Sequence, residues 1–228
     1  MARLIRILSI ALVTAGLVLF VEVGLTLLYK EPLSSIYAAV QQGKAESQLD
    51  DTEASYPNPA ARRAVERIRS RKLRMTTLAR RFAKRIDEGE AIGRLRAPDM
   101  GDLDVIVIQG TDTASLQKGP GHFPETPLPG EGSTVGIAGH RTTYGAPLRY
   151  ADSVERGDRI VLEMPYGTIF YRVQKTEIVD PTDVWVVDDV GYERLVLTTC
   201  HPLYSADQRL IVFAKAVGER LDPQARSS

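Results

Sequence analysis

Cys200 is the only cysteine in the chain, and it closes the apolar run Arg194-Leu-Val-Leu-Thr-Thr-Cys, followed at once by His201 and Pro202. A proline two residues past a strand-like run marks a strand end, and strand ends are where scaffolds present reactive groups. A lone thiol exposed in an oxidising compartment invites oxidation and mispairing unless it has a use. The competing reading is a buried, inert cysteine that packs as a small hydrophobe. From this residue alone both readings stand.

Arg209 lies past the eight residues His201–Gln208 and opens a second strong run, Leu210–Ala214. An antiparallel hairpin with Cys200 opposite Arg209 pairs Thr198 with Ile211 and Val196 with Phe213 on one face. The other face then carries Thr199 with Leu210, Leu197 with Val212 and Leu195 with Ala214, an almost wholly apolar set suited to a core. A slip of one residue would put Cys200 and Arg209 on opposite faces. In this register a guanidinium stands beside the thiol, and a neighbouring cation favours thiolate. His140 supplies the third group. It ends the strand-like stretch Val135-Gly-Ile-Ala-Gly139 and precedes the polar loop Arg141-Thr-Thr-Tyr144-Gly145. Taken singly, Arg209 reads as an exposed strand start and His140 as a structural histidine. Together with a thiol they form a nucleophile, a cation and an acid–base group.

The remaining candidates are secondary. Thr198 shares the Cys200 face and is expected to line a groove; Tyr144 reaches it from the loop after His140. His122 sits in the Gly/Pro-rich stretch Gly119-Pro-Gly-His-Phe-Pro124, where substrate contact and simple solvation are both open. Strand alternation turns His201 away from Cys200, so it reads as structural. One cysteine excludes an intramolecular disulfide and a cysteine-only zinc site, and the acidic residues form no D-x-D-x-D-G loop. No metal and no cofactor are expected.

The elements that must position these groups begin at the N-terminus. Ile7–Tyr29 is apolar apart from Glu22 and follows Arg3 and Arg6. That length spans a bilayer core, and the leading arginines put the N-terminus in the cytoplasm and the rest outside. Residues 1–30 therefore read as an anchor rather than a cleaved signal peptide. Residues 31–60 read as a polar linker closed by Pro57 and Pro59. Over 61–89, Val65, Ile68, Met75, Leu78, Phe82 and Ile86 recur at helical spacing, predicting a basic amphipathic helix broken weakly at its centre and stopped at Gly89. From 90 to 217, seven or eight short Val/Ile/Leu-rich runs separated by Gly, Pro and Asp clusters predict an all-β barrel or sandwich. Residues 218–228 read as a polar tail. The zero net charge hides an asymmetry. Residues 62–96 carry 13 Lys/Arg against 4 Asp/Glu, and residues 97–228 carry 12 against 19. An acidic β domain does not suit nucleic acid. The basic segment is either a solvated helix face or a surface that attracts an anionic membrane or wall polymer.

The stretches Gly119-Pro-Gly-His-Phe-Pro124, Ala138-Gly-His-Arg-Thr142, Leu197-Thr-Thr-Cys-His-Pro202 and Arg209-Leu-Ile-Val212 resemble, in this order, the signatures of sortases. The Thr-Cys-His-Pro form and the basic helical stalk are most similar to the actinobacterial class E group. One departure is Gly130-Glu131, where an asparagine often follows the glycine. The resemblance implies an eight-stranded β-barrel preceded by a transmembrane helix and a helical stalk, with His140, Cys200 and Arg209 catalytic. It also implies cleavage of a C-terminal sorting motif between Thr and Gly, a Cys200 thioester, and transfer to an amine of a peptidoglycan precursor or a pilin lysine. The implied partners are sorting-signal-bearing surface proteins, that acceptor and the membrane, with the catalytic domain extracellular. A sortase-like thiol hydrolase and a non-catalytic membrane-tethered β module remain alternatives. The Ser-His-Gly-Cys signature of L,D-transpeptidases is absent.

Overall fold

A computed structural model describes residues 2–28 and 32–222. Eight strands close a barrel: β1 (Ala91–Ala97), β2 (Leu103–Gln109), β3 (Gly121–His122), β4 (Thr134–Ala138), β5 (Arg159–Met164), β6 (Gly167–Val179), β7 (Arg194–His201) and β8 (Gln208–Leu221). Their order around the barrel is β1-β2-β3-β4-β7-β8-β6-β5. β4 and β7 are parallel, as are β2 and β3; the other neighbours are antiparallel. Closure leaves no free sheet edge.

The expected hairpin register holds throughout. Cys200 pairs with Arg209, Thr198 with Ile211 and Leu195 with Ala214. Leu195, Leu197, Leu210, Val212 and Ala214 enter the main core. Val196, Ile211 and Phe213 face the other way and join Val179 and Val186 in a second, smaller core. This second core exists because the long β6–β7 connection, with its 3-10 turn Val184–Val187, folds over the outer face of β7 and β8. Arg194 fastens it there, donating to the carbonyls of Val186 (2.9 Å) and Asp188 (3.0 Å).

β3 has only two residues and was not expected. It passes so near β2 that a Cβ on Gly121 would lie 2.1 Å from the Gly110 carbonyl oxygen. The glycine of the Gly-Pro-Gly-His stretch is thus a close backbone approach.

The helices depart from expectation more than the strands do. Helix α1 (Ala2–Leu28) contains an apolar span, Arg3–Gly24, none of which is buried in protein. Tyr29, the expected end of the span, lies outside the described residues. The 31–60 segment is not a linker: α2 (Pro32–Ser55) occupies most of it. Its sequence is polar yet rich in Ala, Gln, Glu and Leu, which are good helix formers. Ala38, Ala45 and Leu49 form a narrow buried stripe, Ala45 and Leu49 packing with Ala91, Ile106 and Ile108. Gln42 closes the contact by accepting from the Ile106 amide (2.7 Å) and donating to the Ile106 and Lys118 carbonyls. Gln48 accepts from the Ala91 amide (3.1 Å). A three-residue stripe is too thin to stand out in composition.

The basic segment 61–89 is two helices, α3 (Pro59–Val65) and α4 (Arg71–Ala83). The Asn58 and Ser70 side chains cap their N-termini, so the central break is a full stop and restart. α4 ends at Ala83, while Gly89 (φ +84°) serves the turn into β1. Val65, Met75, Leu78 and Phe82 are fully buried and plug the barrel end lined by Tyr166 and Leu221. Finally, residues 218–221 are not tail. They extend β8 along Gly167–Phe170, and Leu221 is buried. The rest of the expected tail, residues 223–228, lies outside the described residues. Helix α5 (Thr113–Lys118), capped by Asp112, bridges β2 and β3.

Candidate active site

The parallel pairing of β4 with β7 sets Ala138 beside Thr198. Just beyond, Gly139 is held on both sides: its amide donates to the Thr198 carbonyl (3.0 Å) and its carbonyl accepts from the Thr199 hydroxyl (2.7 Å). His140 follows directly and so emerges at the end of β7, where Cys200 lies. Cys200 is a free, half-buried thiol directly across from Arg209 on β8. His140, Cys200 and Arg209 line one cleft of about 690 Å³, joined by Thr198. Val179, Val186 and Ile211, with Phe123 and Val184, supply apolar lining to the cleft. A cleft of this volume, with much apolar lining beside its polar groups, suits a short peptide.

The three groups are held by different means. The Arg209 guanidinium donates to the carbonyls of Ala206 (2.8 Å) and Gln208 (2.9 Å), which fixes it against the β7–β8 turn. Burial pulls the His140 pKa below its ordinary value, favouring the neutral ring. Among the described residues the imidazole takes no hydrogen bond; Tyr144 packs on it with ring centroids 5.0 Å apart. Four carboxylates, Glu125, Asp180, Asp183 and Asp188, also line the cleft.

Tyr144, the other groove candidate, is not among the residues lining this cleft; its ring packs on His140. His122, contrary to expectation, neither lines the cleft nor faces solvent. It is 1% exposed, and its ring nitrogens engage Gln109 (3.0 Å), the Pro127 carbonyl (3.2 Å) and the Thr126 hydroxyl (3.2 Å). Burial pushes its pKa down to about 4, so it stays neutral. A Gly/Pro-rich neighbourhood suggested an exposed loop, whereas the short β3 carries His122 inward.

One contributor was missed. Arg141 is 2% exposed and ties the His140 loop to the end of β7. It donates to the Cys200 carbonyl (3.4 Å) and to His201 Nδ1 (3.0 Å), and pairs with Asp152 (2.6 Å). Arginine has no acceptor, so His201 Nδ1 accepts and its proton sits on Nε2. His201 thus has a structural partner, on the side away from Cys200. Nothing in the sequence separates a buried arginine from the exposed majority. Among the described residues, no group of three or more His, Cys, Asp or Glu is placed to hold a metal.

Comparison with known proteins adds three findings. A profile of the sortase domain matches residues 95–217. The chain is 33% identical over 135 residues to sortase D of Bacillus subtilis and 32% identical over 150 residues to sortase SrtE1 of Streptomyces coelicolor. These matches cover 58% and 59% of this chain, and 66% and 42% of the respective relatives, so the chain spans less than two thirds of either relative's length. Among solved structures, sortase E1 of Streptomyces coelicolor with a tripeptide in its active site superposes with a TM-score of 0.57 at 30% identity, over 61% of this chain and 94% of that one. The likeness to Streptomyces sortase E agrees with the class E resemblance read from the motifs.

Proposed function

The chain belongs to the sortase family, and on that footing we propose that it is a membrane-anchored cysteine transpeptidase acting outside the cytoplasm. The observation that carries the proposal is the convergence of His140, Cys200 and Arg209 in one peptide-sized cleft. In the first half-reaction Cys200 Sγ attacks the threonine carbonyl of a sorting motif ending in Thr-Gly. His140, held neutral by burial, accepts the thiol proton. Arg209, already fixed by two backbone carbonyls, stabilises the oxyanion. Collapse of the tetrahedral intermediate breaks the Thr–Gly bond. His140 returns its proton to the departing glycine amine, leaving a Cys200 thioester. In the second half-reaction an acceptor amine attacks the thioester, its proton passes to His140, and the thiol is released.

The anchor reading draws support from chain reach. Ser34 of α2 contacts the loop that carries His140, its Oγ accepting from the Tyr144 amide (2.9 Å). Only five residues lie between Leu28 at the end of α1 and Ser34, at most about 20 Å of chain. The cleft is thereby tethered near the anchor, where membrane-bound sorting substrates and lipid-linked acceptors are met. We propose residues 1–30 as that anchor and 90–221 as the catalytic barrel.

The test is an acceptor assay. A peptide carrying Leu-Ala-x-Thr-Gly should be cut between Thr and Gly, and the acyl part should pass to an added amine. Cleavage with no transfer to any of several amines would instead favour a thiol hydrolase.

A further inference from the structure

The loop after His140 is bent in a way that needs outside support. Tyr144 (φ +48°), Gly145 (φ +75°) and Ala146 (φ +48°) are three successive left-handed residues, and two of them carry a Cβ. Such a conformation is disfavoured for residues other than glycine and persists only where the surroundings enforce it. Within the loop, Ala146 N–H donates to Thr143 (2.8 Å) and Leu148 N–H to the His140 carbonyl (3.0 Å). Further support comes from α2, more than a hundred residues earlier. The Tyr144 amide donates to Ser34 Oγ (2.9 Å). The Tyr37 ring meets the Tyr144 ring edge-on at 6.2 Å. Buried Ala38 seats against Gly145, its Cβ 3.5 Å from where a methyl on that glycine would lie. From the other side, Gln117 of α5 donates to the Tyr144 hydroxyl (3.1 Å).

We propose that Tyr144 is the positioning residue for His140, and that the first turns of α2 clamp it, so that the segment leaving the anchor sets the geometry of the acid–base group. This rests on the reading of His140 as that group. The argument runs through the ring contact. The imidazole takes no hydrogen bond among the described residues, so the Tyr144 ring 5.0 Å away is what fixes its plane. Tyr144 in turn cannot move independently of Ser34, Tyr37 and Gln117. It touches no reacting atom in this arrangement. The charged and titratable groups around His140 are Arg141 on its own loop and Cys200 and Arg209 across the cleft. Glu125 comes from the β3–β4 connection, and Asp180, Asp183 and Asp188 from the β6–β7 connection. The Tyr144 ring packs on the imidazole, so its removal should open that face of His140 to water.

The experiment uses the full chain in detergent, with Tyr144→Ala, Tyr144→Phe and the double variant Ser34→Ala/Tyr37→Ala. Two readouts are taken: kcat and KM for amine transfer, and the NMR titration of the His140 ring, readily assigned among three histidines. Tyr144→Ala should lower kcat about tenfold or more with KM changed less than about threefold, as expected when a reacting group is misplaced. The His140 titration should move up toward its ordinary value near 6.5. Tyr144→Phe keeps the ring and should recover most of the rate. The helix double variant should shift both readouts in the same direction, more weakly. An unmoved His140 titration in Tyr144→Ala overturns the proposal, as does an unchanged kcat. Should Tyr144→Ala fail to fold, the double variant decides alone, since it alters only one helix face. The titration needs no turnover, so a wild-type chain that fails to transfer would count against the transpeptidase reading without touching this one.

Discussion

Cys200, Arg209 and His140 are brought together by backbone pairing, and each answers to a different substitution. Cys200→Ala removes the proposed nucleophile and should abolish thioester formation. Arg209→Lys keeps a positive charge but loses the planar fork that grips two carbonyls and, in the proposed mechanism, the oxyanion as well, so kcat should fall by about tenfold or more. Retention of full rate by Arg209→Lys, measured with saturating peptide, would show that charge alone suffices. His140 gives a pH prediction. Burial lowers its pKa, and the neutral ring is the proposed base, so kcat/KM should hold as pH falls to about 6.5 and decline only below that. His122 governs stability instead. Its pKa is about 4 in the fold and near 6.5 when unfolded, so between those values the unfolded chain binds the extra proton. Stability present above about pH 6.5 should therefore be lost as pH falls toward 4, by on the order of 3 kcal/mol. Denaturant titrations of wild type and His122→Gln at pH 7 and pH 4.5 check this. The variant should lose less, and an equal loss in both would contradict it.

The β7–β8 hairpin and the packing of α2 mark the two extremes of what the sequence reveals. In β7 and β8 alternation is complete, so face and register follow from one assumption, the pairing of Cys200 with Arg209. In α2 three small or medium apolar residues do the packing, and two glutamines bind backbone groups that no pattern announces. The same limit explains β3, a two-residue strand, and Arg141, whose burial depends on Asp152 and His201 from distant segments. Loop composition around His122 leaves substrate contact and solvation both open, and neither holds because the fold turns the residue inward. The α2 contact makes its own prediction. Leu49→Ala removes a buried side chain and should destabilise the chain by about 2–4 kcal/mol in chemical denaturation. A change under about 0.5 kcal/mol would mean that α2 does not pack on the barrel. The same contact argues against truncation at residue 61, which would also remove Tyr56, buried and donating to the Leu78 carbonyl (2.6 Å).

Across the molecule, α2 joins two ends of the barrel. It begins at the loop of His140 and leads through Tyr56 into the plug formed with Phe82 and Tyr166. The arginines of α3 and α4 surround that plug, at the end away from Cys200. Their apolar stripe is spent on the barrel, and Arg80 also meets Glu131 (3.2 Å). The topology reading predicts that a membrane-impermeant thiol reagent labels Cys200 in intact cells. Labelling only after lysis would put the barrel on the other side of the membrane. The measurement that reaches the central claim most directly is intact mass spectrometry of the full chain mixed with a Leu-Ala-x-Thr-Gly peptide. The account predicts an adduct equal to the peptide's acyl part through threonine, present on wild type, absent from Cys200→Ala, and discharged onto an added amine. An adduct that persists in Cys200→Ala, or cleavage by that variant, would contradict it.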